Sequence, residues 1–348
     1  MKTLVFHASS FKSFWAHYNV SADPYFLTRL QSLGYNFALS DKAPIDRGDM
    51  VLFFEASSIG MVSIRRKIIN ILRQIVKPHS ISRRNVYKEV QERGLQNRIA
   101  LLLMEGLVGL PENYNPKLHA MFPVVFTWND TLVDGKHYFK FKMPQPVQWP
   151  DIITMPFKNR KLLVNISANK YSKHPLELYS ERRVAIKYFE KYLPHDFDLY
   201  GIGWNHPVAL SQHLLKFTTP FYNSYRGVVN NKSTVFPRYR FALCYENACV
   251  PGWITEKMFD CMRSGCVPIY LGASNITDYV DPSAFIDKRK FKSNKALADY
   301  LISVTEKEYQ QYQTAISRYL ASPLFASFLS PAFADTLISV LNSHSQIK

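Results

Sequence analysis

Cysteine is scarce here: four residues in 348, all between positions 244 and 266. That number cannot staple a disulfide scaffold, and a reducing, cytoplasmic setting is expected. No uninterrupted apolar run reaches the roughly 18 residues that argue a membrane-spanning helix. The N-terminal stretch MKTLVFHASSFKSFWAHYNV has one early lysine and an apolar run broken by His7, Ser9 and Ser10. It reads as a first strand and not as a signal peptide. Internal repeats and low-complexity tracts are absent. Acidic residues are outnumbered, 27 to 43, which leaves a net charge of +16 and points to an anionic partner. The chain lacks RNP, zinc-finger and helix-turn-helix signatures, which argues against nucleic acid as that partner. The excess is uneven. Residues 63–98 hold ten Lys/Arg against Glu89 and Glu92. Within them Ile64, Ile68, Ile71, Leu72 and Ile75 recur at helical spacing among Arg65, Arg66, Lys67 and Arg73. This suits an amphipathic helix, lying either on an anionic membrane surface or against its own domain.

What is present is core. Apolar residues make up 47% of the chain, and 348 residues exceed what one core organises, so two domains are expected. LVFHA (4–8), NFALS (36–40), MVLFFEA (50–56) and RIALLLME (98–105) read as strands, and PYFLTRLQSLG (24–34) as a helix stopped by Gly34. Residues 141–160 hold four prolines and no period, the composition of a linker. Alternation then resumes with strands at 161–167, 197–201, 239–245 and 266–272 and helices at 177–193, 293–304 and 306–320, Ser293 being an N-cap. The fold class is α/β, with one domain over 1–150 and a second over 151–348.

The four cysteines form two pairs with equal spacing, Cys244/Cys249 and Cys261/Cys266. Four intervening residues lie at the loose end of the spacing of zinc-binding pairs. Cys244 ends an apolar strand and Cys261 shares a helical face with Ile254, Met258 and Met262, the setting of small buried hydrophobes. Between them a strand runs into Glu246–Asn247, then a loop with Pro251 and Gly252, then a helix from Thr255 to before Gly265. Ligands of parallel sheets bind beyond the carboxyl ends of strands, where helix starts present free N–H groups and the positive end of the dipole. Lys257 and those amides suit a diphosphate, and the Glu256 carboxylate suits the two hydroxyls of a ribose. Equally, Thr255 as cap and Glu256 in the first turn describe an ordinary capped helix.

The run YRFALCYEN…GWITEKMFDCMRSGCVPIYLG closely resembles the donor-binding signature of the α1,3/α1,4-fucosyltransferase family, at Glu246, Asn247, Thr255, Glu256, Lys257, Gly265, Val267, Pro268 and Gly272. PSAFIDKRKF (282–291) continues the likeness, and NISANKYSKHPLELYSERRVAIKYFEKY…FDLYG resembles it more loosely. The similarity covers residues 160–320. It implies the GT-B arrangement: two facing Rossmann-like domains with a cleft between them, GDP-fucose in the second and a glycan acceptor in the first. By position it implies that Glu256 holds the ribose, Lys257 the phosphates, and Arg182 or its neighbour Arg183 the pyrophosphate. Glu246 and Asn247 would line the sugar end, with Ser167 and Asn169 near phosphate. Trp253 stands where family members often have Tyr, and would stack on the donor or close the loop. No metal is needed to meet the charge on departing GDP, although a divalent cation could aid turnover.

Transfer with inversion also needs a base for the acceptor hydroxyl. Glu105 directly follows IALLLM, at the carboxyl edge of the first sheet, and resembles the strand-ending glutamate of the family, with Gly106–Leu107 where many relatives have Ser-Pro. Glu55, after MVLFF, is the reserve. Asp196-Phe197-Asp198 has the form of a metal-binding pair, but two aspartates on one strand face without a third ligand argue against it. Two other functions stay open: transfer from another nucleotide sugar, since the signature fixes the nucleotide better than the sugar, and nucleic-acid binding through the basic charge.

Overall fold

The computed structural model describes residues 2–8, 23–42, 44–45, 50–61, 84–150, 155–205 and 222–345. The amphipathic segment 64–75 lies outside them. Two units emerge: residues 1–147 with 327–348, and residues 148–326.

The first unit is built on a six-stranded, wholly parallel sheet. Its strands are β1 (Lys2–His7), β2 (Tyr35–Leu39), β3 (Met50–Phe54), β4 (Ile99–Leu103), β5 (Val124–Thr127) and β6 (Tyr138–Lys140), in the order β2-β1-β3-β4-β5-β6. β3 (MVLFF) and β4 (IALLL) are buried at every position. Continuous apolar runs of this kind are what a sheet covered on both faces requires. Helix α1 (Pro24–Ser32) starts where Asp23 accepts the Tyr25 N–H at 2.9 Å, with proline in its first turn. Helix α2 (Val86–Glu92) buries Val86 and Val90 against the sheet core.

The second unit repeats the plan with five parallel strands: β7 (Lys161–Ile166), β8 (Phe197–Tyr200), β9 (Tyr239–Tyr245), β10 (Val267–Leu271) and the short β11 (Ile286–Asp287). Their order is β11-β10-β9-β7-β8. Helices α3 (Tyr179–Tyr192), α4 (Glu256–Arg263), α5 (Asn294–Ser303) and α6 (Glu306–Leu320) accompany it. Ser293 caps α5 through the Ala296 N–H, and Thr305 and Glu308 close a reciprocal capping box on α6.

The domain boundary differs from the expected one at the C-terminus. The last helix, α7 (Ser330–Ser345), belongs to the first unit. Phe333 stacks on Phe26 of α1 at 5.9 Å, Arg29 pairs with Asp335 at 2.7 Å, and the Gln145 N–H bonds the Phe328 carbonyl at 2.8 Å. Its apolar residues Phe333, Ala334, Leu337, Ile338 and Leu341 are buried, and the face they cover is that of α1. Among the described residues no helix is long and apolar enough to cross a membrane.

Candidate functional site

In the second sheet the chain leaves β7 for β8 on one side and returns to β9 on the other. The carboxyl ends of β7 and β9 therefore flank the topological switch point, where α/β sheets bind ligands. A small pocket lies at that seam. Ile166 and Ser167 line it from β7, Leu243, Cys244 and Tyr245 from β9, and Lys257 from α4. Lys232 and Phe236 complete the wall.

Its charges are organised around Glu246, whose side chain has no exposure. The carboxylate accepts the Thr255 N–H at 2.8 Å, the Thr255 hydroxyl at 2.9 Å and the Lys257 ammonium at 2.9 Å. Lys257 also donates to the Thr255 oxygen at 2.8 Å. Thr255 is the N-cap residue of α4, yet its side chain makes no capping bond. It serves the Glu246–Lys257 pair instead, so the first-turn amides of α4 keep no cap side chain. The plain capped helix foreseen as an alternative is not what forms. Burial pulls the Lys257 pKa down, but the neighbouring Glu246 and Glu256 carboxylates win and raise it, so the side chain stays an ammonium.

Glu256 sits at the rim, about half exposed (49%). It pairs at 3.4 Å with Lys232, which also holds Asp260 at 2.7 Å. Burial pushes the Asp260 carboxyl up to about 6, against the pull of Lys232. Lys232 was not foreseen from the sequence, because its partners stand 24 and 28 residues away and only the fold unites them. Of the two adjacent arginines, Arg182 is the buried one. Its Nη2 donates to the carbonyls of Tyr245 and Glu246 at 2.6 and 3.1 Å, while Arg183 is half-buried and donates to the Lys170 carbonyl. The Ser167 hydroxyl donates to Asn165 at 2.6 Å, and the Asn169 amide to the Gly203 carbonyl at 3.1 Å. The Asn247 carbonyl accepts the Leu178 N–H at 3.0 Å. Trp253 is only 2% exposed and accepts the Tyr270 hydroxyl at its carbonyl, a position that fits closing the loop and not stacking on a ligand. Gly272 is needed for space: a Cβ there would stand 2.6 Å from Glu246 Cγ.

Cys244, Cys261 and Cys266 are buried free thiols and Cys249 is half-buried. Burial raises the Cys261 thiol well above its ordinary range, so it packs as a hydrophobe, as its helical face implies. Asp198 is consumed by Lys161 at 2.8 Å, Arg226 at 2.8 Å and the Tyr239 hydroxyl at 2.6 Å. That explains one half of the Asp-x-Asp pair without a ligand.

In the first unit, Glu105 follows β4 at the carboxyl edge of its sheet. Its Oε1 accepts the Gly106 N–H at 3.1 Å, and the side chain lies against Gly109, where a Cβ would stand 2.5 Å from that oxygen. The reserve, Glu55, is 9% exposed and turned toward the same loop, accepting the Glu105 N–H at 2.8 Å.

Two units, each a parallel sheet, with a charged pocket at the switch point of the second, define the fold of the GT-B glycosyltransferases. A crystal structure of an α1,3-fucosyltransferase with GDP-fucose shares it: TM-score 0.54 at 13% identity, over 98% of this chain and 90% of that one. Residues 158–325 match the model described as glycosyltransferase family 10 (fucosyltransferase) C-term, and this second unit belongs to that family. An α-(1,4)-fucosyltransferase of Arabidopsis thaliana is 49% identical over 63 residues, 18% of this chain and 16% of its own. A 3-galactosyl-N-acetylglucosaminide 4-α-L-fucosyltransferase of Bos taurus is 28% identical over 162 residues, 45% of this chain and 39% of its own. Both matches thus cover well under half of the relative's length.

Proposed function

We propose that the protein transfers L-fucose from GDP-fucose to a hydroxyl of a glycan, α1,3 in type, with inversion at the anomeric carbon. The observation that carries this reading is the Lys257 ammonium. It is fixed by Glu246 and Thr255 at the uncapped start of α4, at the switch point of a family 10 domain. In the reaction the acceptor oxygen bonds to the anomeric carbon as the bond from that carbon to the β-phosphate oxygen breaks. GDP departs with the electron pair, and the acceptor proton passes to the Glu105 carboxylate. Negative charge grows on the leaving phosphate, so preorganised positive groups lower the barrier more than uniform binding does. Lys257 and the α4 amides supply it at close range. Arg182, anchored on the Tyr245 and Glu246 carbonyls, adds charge from behind and fixes the strand end. Glu256 takes the ribose hydroxyls, with Lys232 holding its carboxylate in place. Ser167, Asn169 and Asn247 edge the phosphate and sugar. No dedicated metal enters this scheme.

A donor screen tests it. GDP-fucose, other GDP-sugars and UDP-sugars are offered with a panel of glycan acceptors, and nucleoside diphosphate release is followed. Turnover is expected with GDP-fucose, to a product of inverted configuration. Release of UDP alone would move the chain to another nucleotide sugar.

A further inference from the structure

We infer that Glu55 is a positioning residue for Glu105, built into a strained turn that aims the loop carrying it. The inference rests on the reading of Glu105 as the base. Glu55 has φ 61° and ψ 169°, the sole positive φ of a non-glycine residue among the described residues. That region is essentially reserved for glycine, and other side chains hold it only when the surroundings over-determine it. They do so here. The Glu55 N–H donates to the Leu102 carbonyl at 3.0 Å, joining β3 to β4. The Glu55 carbonyl accepts the Ser58 N–H at 3.0 Å and the Ser58 hydroxyl at 2.7 Å. The next N–H, from Ala56, goes to Asn113 Oδ1 at 2.9 Å.

The strain has a visible product. With the backbone held this way, the Glu55 carboxylate meets the Glu105 N–H at 2.8 Å. Asn113, fully buried, grips the same residue from the other side through its amide and the Glu105 carbonyl at 3.4 Å. Asn113 is itself fixed by His119, whose Nε2 donates to its carbonyl at 2.6 Å. Both backbone polar groups of Glu105 are thus tied to side chains, one from the turn after β3 and one from further along its own loop. The Glu105 side chain is then confined by the Gly106 N–H and by the surface of Gly109. A turn needed only for folding would be served by glycine at position 55 without strain. A glutamate there is explained by what its carboxylate holds.

Three variants test this. Glu55→Gly removes the strain and the acceptor together. It should melt at or above the wild-type temperature, keep the KM for GDP-fucose within about twofold, and lose at least about tenfold in kcat, because small misplacements of a reacting group are costly. Glu55→Gln keeps an oxygen at the same reach and should return kcat to within about threefold of wild type. Undiminished kcat in Glu55→Gly overturns the inference. So does a joint fall of kcat and melting temperature that Glu55→Gln does not restore, which marks a merely structural residue. Glu105→Gln separates the two levels: if it retains full activity the base assignment itself is wrong, whereas an inactive Glu105→Gln beside a fully active Glu55→Gly defeats only the positioning role.

Discussion

The Glu246–Lys257 pair sets the terms at the scale of single residues. A buried ion pair is weak evidence of stability, but removing one partner strands the other. Lys257→Ala should lower kcat/KM by about 100- to 1,000-fold, the usual loss when a preorganised stabiliser of developing charge is removed. It should also destabilise the fold by about 3–5 kcal/mol, because Glu246 is left buried and uncompensated. The double variant Glu246→Gln/Lys257→Met should recover most of that stability in a denaturant melt and none of the activity. Equal loss of stability in the single and double variants would mean that the pair is not the cause. His7 gives a second, pH-dependent test. Its Nε2 faces the Ser58 carbonyl at 2.9 Å, which can only accept, so the proton sits there and Nδ1 accepts the Ser40 hydroxyl at 2.7 Å. Burial lowers its pKa from 6.5 to about 4. A folded pKa below the unfolded one adds stability that is complete above pH 6.5 and is lost as pH falls toward 4. The amount is up to about 3 kcal/mol. Melting temperatures from pH 7 to 4 should fall more steeply for the wild type than for His7→Gln, and parallel curves would contradict this. Much of the site at this scale was legible in the sequence, because Glu246, Thr255, Glu256 and Lys257 lie within one contiguous string. Lys232 and Asn113 were not, since each acts through a partner that stands 24 to 57 residues away and is brought close only by folding.

Elements tell a related story. β3, β4 and β9 were readable because buried parallel strands are continuous apolar runs bounded by polar residues. Ser293 announces α5, because caps are local chemistry. β5 and β6, four and three residues long, are held mainly by lateral pairing to their neighbours, and short runs carry little period of their own. The role of Thr255 escaped for another reason: as a helix N-cap it looks like a capping side chain, and only the buried Glu246 draws it away. α7 was hidden altogether: it is not among the helices read from the sequence, and nothing local says that the chain returns to the first unit. A chain ending at residue 326 should show what this packing does. Four large buried side chains, Phe333, Leu337, Ile338 and Leu341, at about 1.5–3 kcal/mol each rival the whole stability of a domain, about 5–15 kcal/mol. The truncated chain should lose the cooperative melt of its first unit by calorimetry. A full-length melting profile after truncation would show that α7 contributes little.

On the scale of the whole molecule, the charge of +16 and the family match of the second unit address different questions. Two cations line the pocket, Lys257 and Lys232, a small part of 43 basic residues. The largest local excess, residues 63–98, is far from that pocket in sequence. We propose that this segment contacts an anionic membrane surface. In flotation assays the protein should rise with vesicles containing about one-third phosphatidylserine and not with neutral ones, and the association should weaken as salt increases. Absence from the anionic vesicles would end the membrane reading without touching the chemistry. That chemistry is tested most directly by GDP release from GDP-fucose with a glycan acceptor, in wild type, Lys257→Ala and Glu105→Gln. The account predicts acceptor-dependent turnover by the wild type and a loss of about 100-fold or more in both variants. Undiminished turnover in either variant, or no GDP release by the wild type with any acceptor, would contradict it.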